Sequence, residues 1–268
     1  MKKNIAAIVI MCWIILYVGI YVHSSMMARS ITGPIHLAVY GDVLVVADNY
    51  TLSLLNKSGD LLAQRTFDTL GISSTLMDLQ ALPDGTLLLG ESGSKRIIKC
   101  PSISQPCLEF VNLGKDVGRF YKFRYEPANN VLYVAVTHSN VVMRFPSRLS
   151  DSHTTVIDSI LRSPNEIQLD EQNRLWIADT DNRRIVAVNI LEDPSNHILS
   201  EVSGKNHFTK NSFPLDFARD VGGKLWTLLS NSAYLNGQVV RYGASGQAER
   251  YVAFPPTTCT PVINNISS

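Results

Sequence analysis

A phrase repeats along this chain, and it constrains the fold more than any other feature. From Ser163 to Asn189 the sequence reads SPNEIQLDEQNRLWIADTDNRRIVAVN. Trp176 in RLWIAD has counterparts at Val45 in DVLVVAD, Leu88 in TLLLGE, Tyr133 in VLYVAV and Trp226 in KLWTLL, at spacings of 43, 45, 43 and 50 residues. A period in the forties with several short strands per unit is the signature of a β-propeller.

Each unit reads as four strands. In the fourth copy Glu166–Leu169 alternates polar and apolar residues, and Asp170–Asn173 supplies turn chemistry. Leu175–Ala178 is a near-continuous apolar run, as for a strand covered on both faces, and Arg184–Val188 and His197–Val202 complete the unit. Such a sheet alone leaves two apolar faces exposed, so neighbouring units must stack. The expected fold is all-β: four-stranded antiparallel blades, five repeats visible, in a ring of five or six.

The N-terminus is a separate object. Ile5–Val22 carries no charge and follows Lys2 and Lys3. As a helix it would span ~27 Å, close to the hydrocarbon thickness of a bilayer. A secretory apolar core is usually shorter, about 7–15 residues. Residues 1–23 are therefore read as one N-terminal transmembrane helix, a membrane anchor or uncleaved signal, with a cleaved signal peptide as the alternative. Residues 24–32 then form a linker and 33–268 the propeller, outside the cytoplasm, with the N-terminus inside.

Charge narrows the partners. Lys+Arg number 24 against Asp+Glu 23, a net charge of +1. This balance argues against nucleic acid, which usually requires a clustered basic face, and no run of like charges appears in the sequence. Cys100 and Cys107 flank the turn PSISQP, where a disulfide would join neighbouring strands in an oxidising compartment. Their spacing matches neither a redox CxxC nor a zinc site. Asn49, Asn56 and Asn265 open glycosylation sequons.

The fourth copy resembles the NHL repeat, carried by Pro164, Ile167, Leu175-Trp176-Ile177-Ala178-Asp179, Asn182 and Arg184-Ile185. Glu166 and Asn173 stand where that repeat has glycines. NHL propellers are similar, more distantly, to the gluconolactonase and strictosidine-synthase-like propellers, in which a Pro-Asn-Gly asparagine helps to hold a divalent metal in the central channel. Asn165 matches that asparagine. Its equivalents at the same distance before the other anchors are Met77, Lys122 and Leu215.

Ten residues before the anchors stand Asp78, Glu166 and Asp216, with Phe123 in the third copy. His36 joins them if its turn is one residue shorter. These positions form a channel-mouth ring. Asp78, Asn165, Glu166 and Asp216 are candidate ligands for a hard cation such as calcium, or for a basic ligand. A solvated polar rim is the alternative. Asp179, Asn182 and Arg184 read as a structural turn, with an arginine reaching a blade carboxylate. Tyr234, on the elongated SNSAYLNG loop, is a candidate ligand contact.

No nucleophile elbow, phosphate loop or zinc-protease motif is present. The leading expectation is a membrane-anchored propeller binding a protein, peptide or glycan through one face. The alternative is a metal-dependent lactonase/esterase-like or strictosidine-synthase-like enzyme using the channel metal.

Overall fold

The computed structural model describes residues 36–91, 93–115, 117–118, 122–145, 154–157, 160–189, 198–203, 212–220, 222, 224–231, 237–243, 247–254 and 262–265. The expected anchor and linker, residues 1–32, lie outside this set, as does Tyr234. No helix among the described residues is long and apolar enough to cross a membrane.

The described chain is a five-bladed β-propeller, each blade built from consecutive antiparallel strands. Blade one holds β1 (His36–Tyr40), β2 (Val43–Ala47), β3 (Thr51–Asn56) and β4 (Leu61–Thr66). A single helical turn, α1 (Phe67–Leu70), leads out of it and ends at Gly71, whose φ of 77° is open to glycine without strain. Blade two holds β5 (Leu76–Ala81), β6 (Leu87–Glu91), β7 (Arg96–Cys100) and β8 (Leu108–Asn112). Blade three holds β9 (Lys122–Glu126), β10 (Val131–Val136), β11 (Val141–Phe145) and β12 (Thr154–Ile157). Blade four holds β13 (Pro164–Leu169), β14 (Arg174–Asp179), β15 (Arg184–Asn189) and β16 (Ile198–Ser203). Blade five holds β17 (Ser212–Arg219), β18 (Leu225–Asn231), β19 (Gly237–Tyr242) and β20 (Ala248–Phe254), with β21 (Val262–Asn265) paired to β20 as a fifth strand. The ends of the chain therefore do not assemble a sixth blade among the described residues.

Side chains alternate across each strand, so every blade has a leading face toward the next blade and a trailing face toward the one before. Apolar residues fill the interfaces as four clusters. Val45, Ala47 and Leu52 meet Leu79, Leu87 and Leu89 between blades one and two. Leu88 and Ile97 meet Phe123 and Val134 between two and three. Tyr133 and Ala135 meet Ile167 and Ile177 between three and four, and Trp176 and Ala178 meet Phe217 and Leu229 between four and five. The first four repeat anchors are thus leading-face core residues, which is why an apolar residue returns at that spacing.

Polar groups hold the repeat in register. Asp170 Oδ1 accepts the N–H groups of Gln172 and Arg174, closing the turn between β13 and β14. Asn173, in place of the turn glycine, sits at φ 57°, a left-handed conformation that asparagine tolerates. Asp170 Oδ2 also accepts from Trp176 Nε1 at 2.8 Å. Arg219 of the next blade reaches the same carboxylate oxygen at 3.0 Å and lies 5.1 Å over the Trp176 ring. At the other end of the strands, buried Asp179 accepts from Arg184 Nε, Asn182 Nδ2 and the N–H of Arg162. Glu91 does the same for Arg96 and for the N–H groups of Ser73 and Ser74. These carboxylates staple β6 and β14 to the links arriving from the preceding blades.

Cys100 and Cys107 are joined as a disulfide, with Cα atoms 4.2 Å apart, across the turn between β7 and β8.

Candidate functional site

The innermost strands β1, β5, β9, β13 and β17 place one residue each at equivalent positions around the central channel. Strand pairing identifies them: His36 lies opposite Ala47, Asp78 opposite Gly90, Lys122 opposite Ala135 and Asp216 opposite Leu228. Glu166 occupies this place in β13. The ring is therefore His36, Asp78, Lys122, Glu166 and Asp216. The expected third-blade member, Phe123, is instead fully buried in the core between blades two and three. Arg124 pairs with Tyr133 nine positions on, whereas Gln80, Gln168 and Ala218 pair with Leu88, Trp176 and Trp226 eight positions on, and this one-residue difference in register brings Lys122 onto the channel.

Three of the inner strands carry a bulge at this level. The register shifts between Leu76 and Asp78, between Pro164 and Ile167, and between Pro214 and Asp216. A bulge re-aims its neighbours and frees a backbone carbonyl from the ladder. The preceding blade satisfies each freed carbonyl. Thr137 Oγ1 donates to Pro164 O at 2.7 Å, and Thr180 Oγ1 donates to Pro214 O at 2.7 Å. In blade one His36 takes over that task, its Nε2 lying 3.1 Å from Leu76 O. Burial lowers the pKa of His36 below its ordinary value, although nearby Asp78 pulls the other way. The bond to Leu76 fixes the proton on Nε2.

The charges at the centre neutralise one another. Lys122 Nζ stands 3.2 Å from Asp78 Oδ1 and 3.2 Å from Glu166 Oε2. The first contact is a hydrogen bond, while the second is an ion pair that leaves Glu166 Oε2 without a hydrogen-bond donor. Arg124, two residues along β9, donates to Asp78 Oδ2 at 3.0 Å through one nitrogen and to Glu166 Oε1 through the other. The backbone N–H of Phe123, donating to Oδ2, is the third donor to the Asp78 carboxylate. Burial pushes the Glu166 carboxyl up to about 7, against the pull of Arg124 and Lys122, and Asp216 and Asp78 reinforce the rise. Burial also opposes the charge on Lys122, but Asp78, Glu166 and Asp216 outweigh it and hold its pKa above the ordinary lysine value.

This geometry corrects the expected cation site. Asp78 and Glu166 are turned to Lys122 and Arg124, and an ion between them would have to displace both cations. Asn165 is the bulged residue of β13 and donates to Thr180 Oγ1 at 2.9 Å, bracing the loop rather than the channel. Among the described residues no three His, Cys, Asp or Glu side chains converge as metal ligands. Asp216 keeps its place on the ring, half-buried. The residues available do not fit a lactonase-type centre.

Surface relief lies at both ends of the blades: a cleft of ≈ 420 Å³ lined by Gln168, Asp170, Glu171, Gln172, Arg219 and Asp220 opens where the first strands of blades four and five turn into the second, and two more open where the second strands pass to the third. A cleft of ≈ 300 Å³ between blades one and two is lined by Asp48, Asn49, Tyr50, Phe67, Ser73 and Thr75, and Tyr50 beside it is 75% exposed. A second cleft of ≈ 540 Å³ between blades three and four is lined by Thr137, His138, Asn140, Arg162, Ser163 and Asp181. Ser163 donates to Asp181 Oδ2 at 2.6 Å, and its N–H donates to Asn140 Oδ1 at 2.8 Å, so the wall of this cleft is ordered by its own hydrogen bonds. These surfaces leave no mark in the sequence, because each cleft is assembled from loops of two different blades.

No family model matches the chain, and no curated protein matches it. Solved structures do. Virginiamycin B lyase from Staphylococcus aureus superimposes with a TM-score of 0.57 at 17% identity, over 87% of this chain and 73% of that one. A chain of a nidogen/laminin complex gives a TM-score of 0.63 at 14% identity, over 83% of this chain and 80% of that one. The periplasmic gluconolactonase PpgL of Pseudomonas aeruginosa gives 0.51 at 16% identity, over 80% of this chain and 68% of that one. These neighbours are β-propellers, and at such identities the likeness shows the fold alone.

Proposed function

We propose that this chain is a membrane-anchored, extracytoplasmic β-propeller that binds a protein, peptide or glycan through the loop face carrying the two clefts. The observation that carries the reading is the pairing of Lys122 and Arg124 with Asp78 and Glu166. It commits the channel's strongest charges to one another, and the polar clefts around Tyr50 and Ser163 lie on one and the same face of the ring. The disulfide supports an oxidising compartment, and the apolar run Ile5–Val22 supports the anchor. A propeller in complex with laminin among the structural neighbours makes a protein ligand reasonable for this scaffold. The lactonase reading has no comparable support, since the carboxylates it requires are taken up by cations.

The test is binding of the full chain, in detergent, to peptide and glycan arrays, with Tyr50→Ala and Ser163→Ala beside a control at the opposite end of the blades, Glu171→Ala. A ligand lost with Tyr50→Ala or Ser163→Ala and kept by the control supports the reading. A ligand indifferent to both, or a metal-dependent hydrolysis of lactones abolished by Asp216→Ala, overturns it.

A further inference from the structure

The charges of the channel do not quite cancel, and the remainder sits where a ligand can reach it. Asp78, Glu166 and Asp216 bring three carboxylates to the ring, against the two cations Lys122 and Arg124. The donors are spent on the first two carboxylates. Lys122 and Arg124 both bond to Asp78, and Arg124 also bonds to Glu166 Oε1. His36 gives its one N–H to Leu76 O.

Three acceptors are left over. Asp216, half-buried on β17, makes no hydrogen bond or ion pair with any described residue, and its charge reaches His36, Lys122 and Arg124 only at longer range. Glu166 Oε2 lies on a fully buried side chain and has no hydrogen-bond donor. His36, with its proton on Nε2, presents Nδ1 as a bare lone pair. Asp216 raises the pKa of both His36 and Glu166, so the three groups face one space. A poorly satisfied acceptor in such a place costs free energy until a donor arrives.

The ring lies just beneath the loop face. Leu76, which holds His36, lines the cleft between blades one and two. Ser163, three residues before Glu166, lines the cleft between blades three and four. A ligand crossing from one cleft to the other passes over the channel mouth.

We propose that the channel mouth takes the basic side chain of a peptide ligand, a role that rests on the reading of the loop face as a ligand surface. Its ammonium or guanidinium pairs with Asp216 and turns its N–H groups to His36 Nδ1 and Glu166 Oε2. Such a group brings both missing quantities, one positive charge and several donors. A sugar hydroxyl brings one donor and no charge. An acidic side chain would set a fourth carboxylate beside three. A divalent ion overshoots the charge, and among the described residues no set of ligands converges for it.

The experiment is thermal unfolding of the full chain in detergent with Nα-acetyl-lysine amide, Nα-acetyl-arginine amide or Nα-acetyl-norleucine amide. It is run at constant ionic strength and pH 8, above the value of about 7 at which Glu166 sheds its proton. At saturation the lysine or the arginine amide should raise the midpoint by about 2 °C or more, and the norleucine amide should not. Asp216→Asn, which keeps the shape and breaks no bond, should abolish the rise. If that variant proves unfolded, Glu166→Gln carries the same test. Peptides captured by the loop face are then remade with each lysine or arginine replaced by norleucine. One replacement should cost about tenfold or more in affinity for wild type and nothing further for Asp216→Asn. Peptides that bind as well without any basic residue, or a midpoint indifferent to both basic amides, overturn the proposal and leave the loop-face reading standing. A midpoint raised by a basic amide through Asp216, with no peptide captured, overturns the loop-face reading instead and supports the channel site.

Discussion

Trp176 and Asp170 are six residues apart and joined by an indole N–H donating to a carboxylate at 2.8 Å, at the point where blade five locks onto blade four through Arg219. The same pair recurs as Trp226 and Asp220 in the last blade, where no blade of the described chain packs on it in that way. One motif thus stands in two environments, and the difference between them can be measured.

Asp170→Ala leaves the Trp176 indole N–H without its acceptor and removes the anion held by Arg174 and Arg219. Loss of a hydrogen-bonded partner in a nearly buried position costs about 1–3 kcal/mol. Asp220→Ala removes an equivalent bond at a more open site and should cost clearly less. Urea unfolding of the two variants beside wild type checks the order. Equal losses would mean that Trp226 is as well covered as Trp176.

Arg124 serves two buried carboxylates at once, so Arg124→Met should be among the most damaging single changes in the channel. Removing one partner from a buried ionic cluster costs about 3–5 kcal/mol, because the remaining charges are left uncompensated. Replacing both sides, Arg124→Met with Glu166→Gln, should recover part of that loss. A double-mutant cycle by chemical denaturation measures the coupling. Additive losses would show that Arg124 and Glu166 do not act as a pair.

Glu166 also gives stability a pH dependence of defined sign. Its carboxyl rises from an ordinary 4.5 to about 7 on folding, so the folded state holds the proton more tightly than the unfolded chain. The resulting stabilisation is fully present below pH ~4.5, declines as pH rises through about 7, and is absent above that. Groups with lowered values, such as Asp170 and Glu91, work in the opposite direction. The contribution is therefore read as the difference between wild type and Glu166→Gln. That difference should move against wild type between pH 4.5 and 7 and then level off. A difference that is flat across this range would mean that Arg124 and Lys122 hold Glu166 ionised throughout.

Much of the blade plan is legible in the sequence because one physical requirement repeats: an apolar residue must meet the next blade, and it returns about every 43–50 positions. The disulfide was legible from two cysteines flanking a Pro- and Ser-rich turn. The channel was half legible. Asp78, Glu166 and Asp216 fall on the ring because their blades share one turn length, and counting back from the anchor finds them. Lys122 is missed because the third blade pairs its first two strands over nine positions, Arg124 to Tyr133, where the second, fourth and fifth use eight, and a fixed count then points to Phe123. Asn165 was misassigned for a related reason. A bulge shifts its side chain out of the ring, and bulges leave no periodic trace. Nor could the sequence show that Arg124 reaches across two blades, since a residue's partners at a propeller centre are set by the closing of the channel.

Opening the Cys100–Cys107 bond relaxes a short loop. By chain entropy alone its loss costs about 2.5 kcal/mol. The Cys100→Ala, Cys107→Ala double variant should accordingly unfold at lower urea with a similar slope. Because Cys100 is buried against the core between blades one and two, reduction of the wild type should be slow until the blade opens. Rapid labelling of both thiols under native conditions, with no loss of stability, would show that the bond contributes little to the fold.

The final prediction compares two leucines that strand pairing places at one register position. Leu79 is 3% exposed and packs under blade one, so Leu79→Ala creates a cavity and should cost about 2–5 kcal/mol. Leu37 is the same residue in the same place on blade one, but it lies 62% open to solvent. Leu37→Ala should change stability by less than about 0.5 kcal/mol. Urea midpoints of both variants beside wild type separate the cases. A Leu37→Ala penalty as large as that of Leu79→Ala would mean that the trailing face of blade one is covered within the chain.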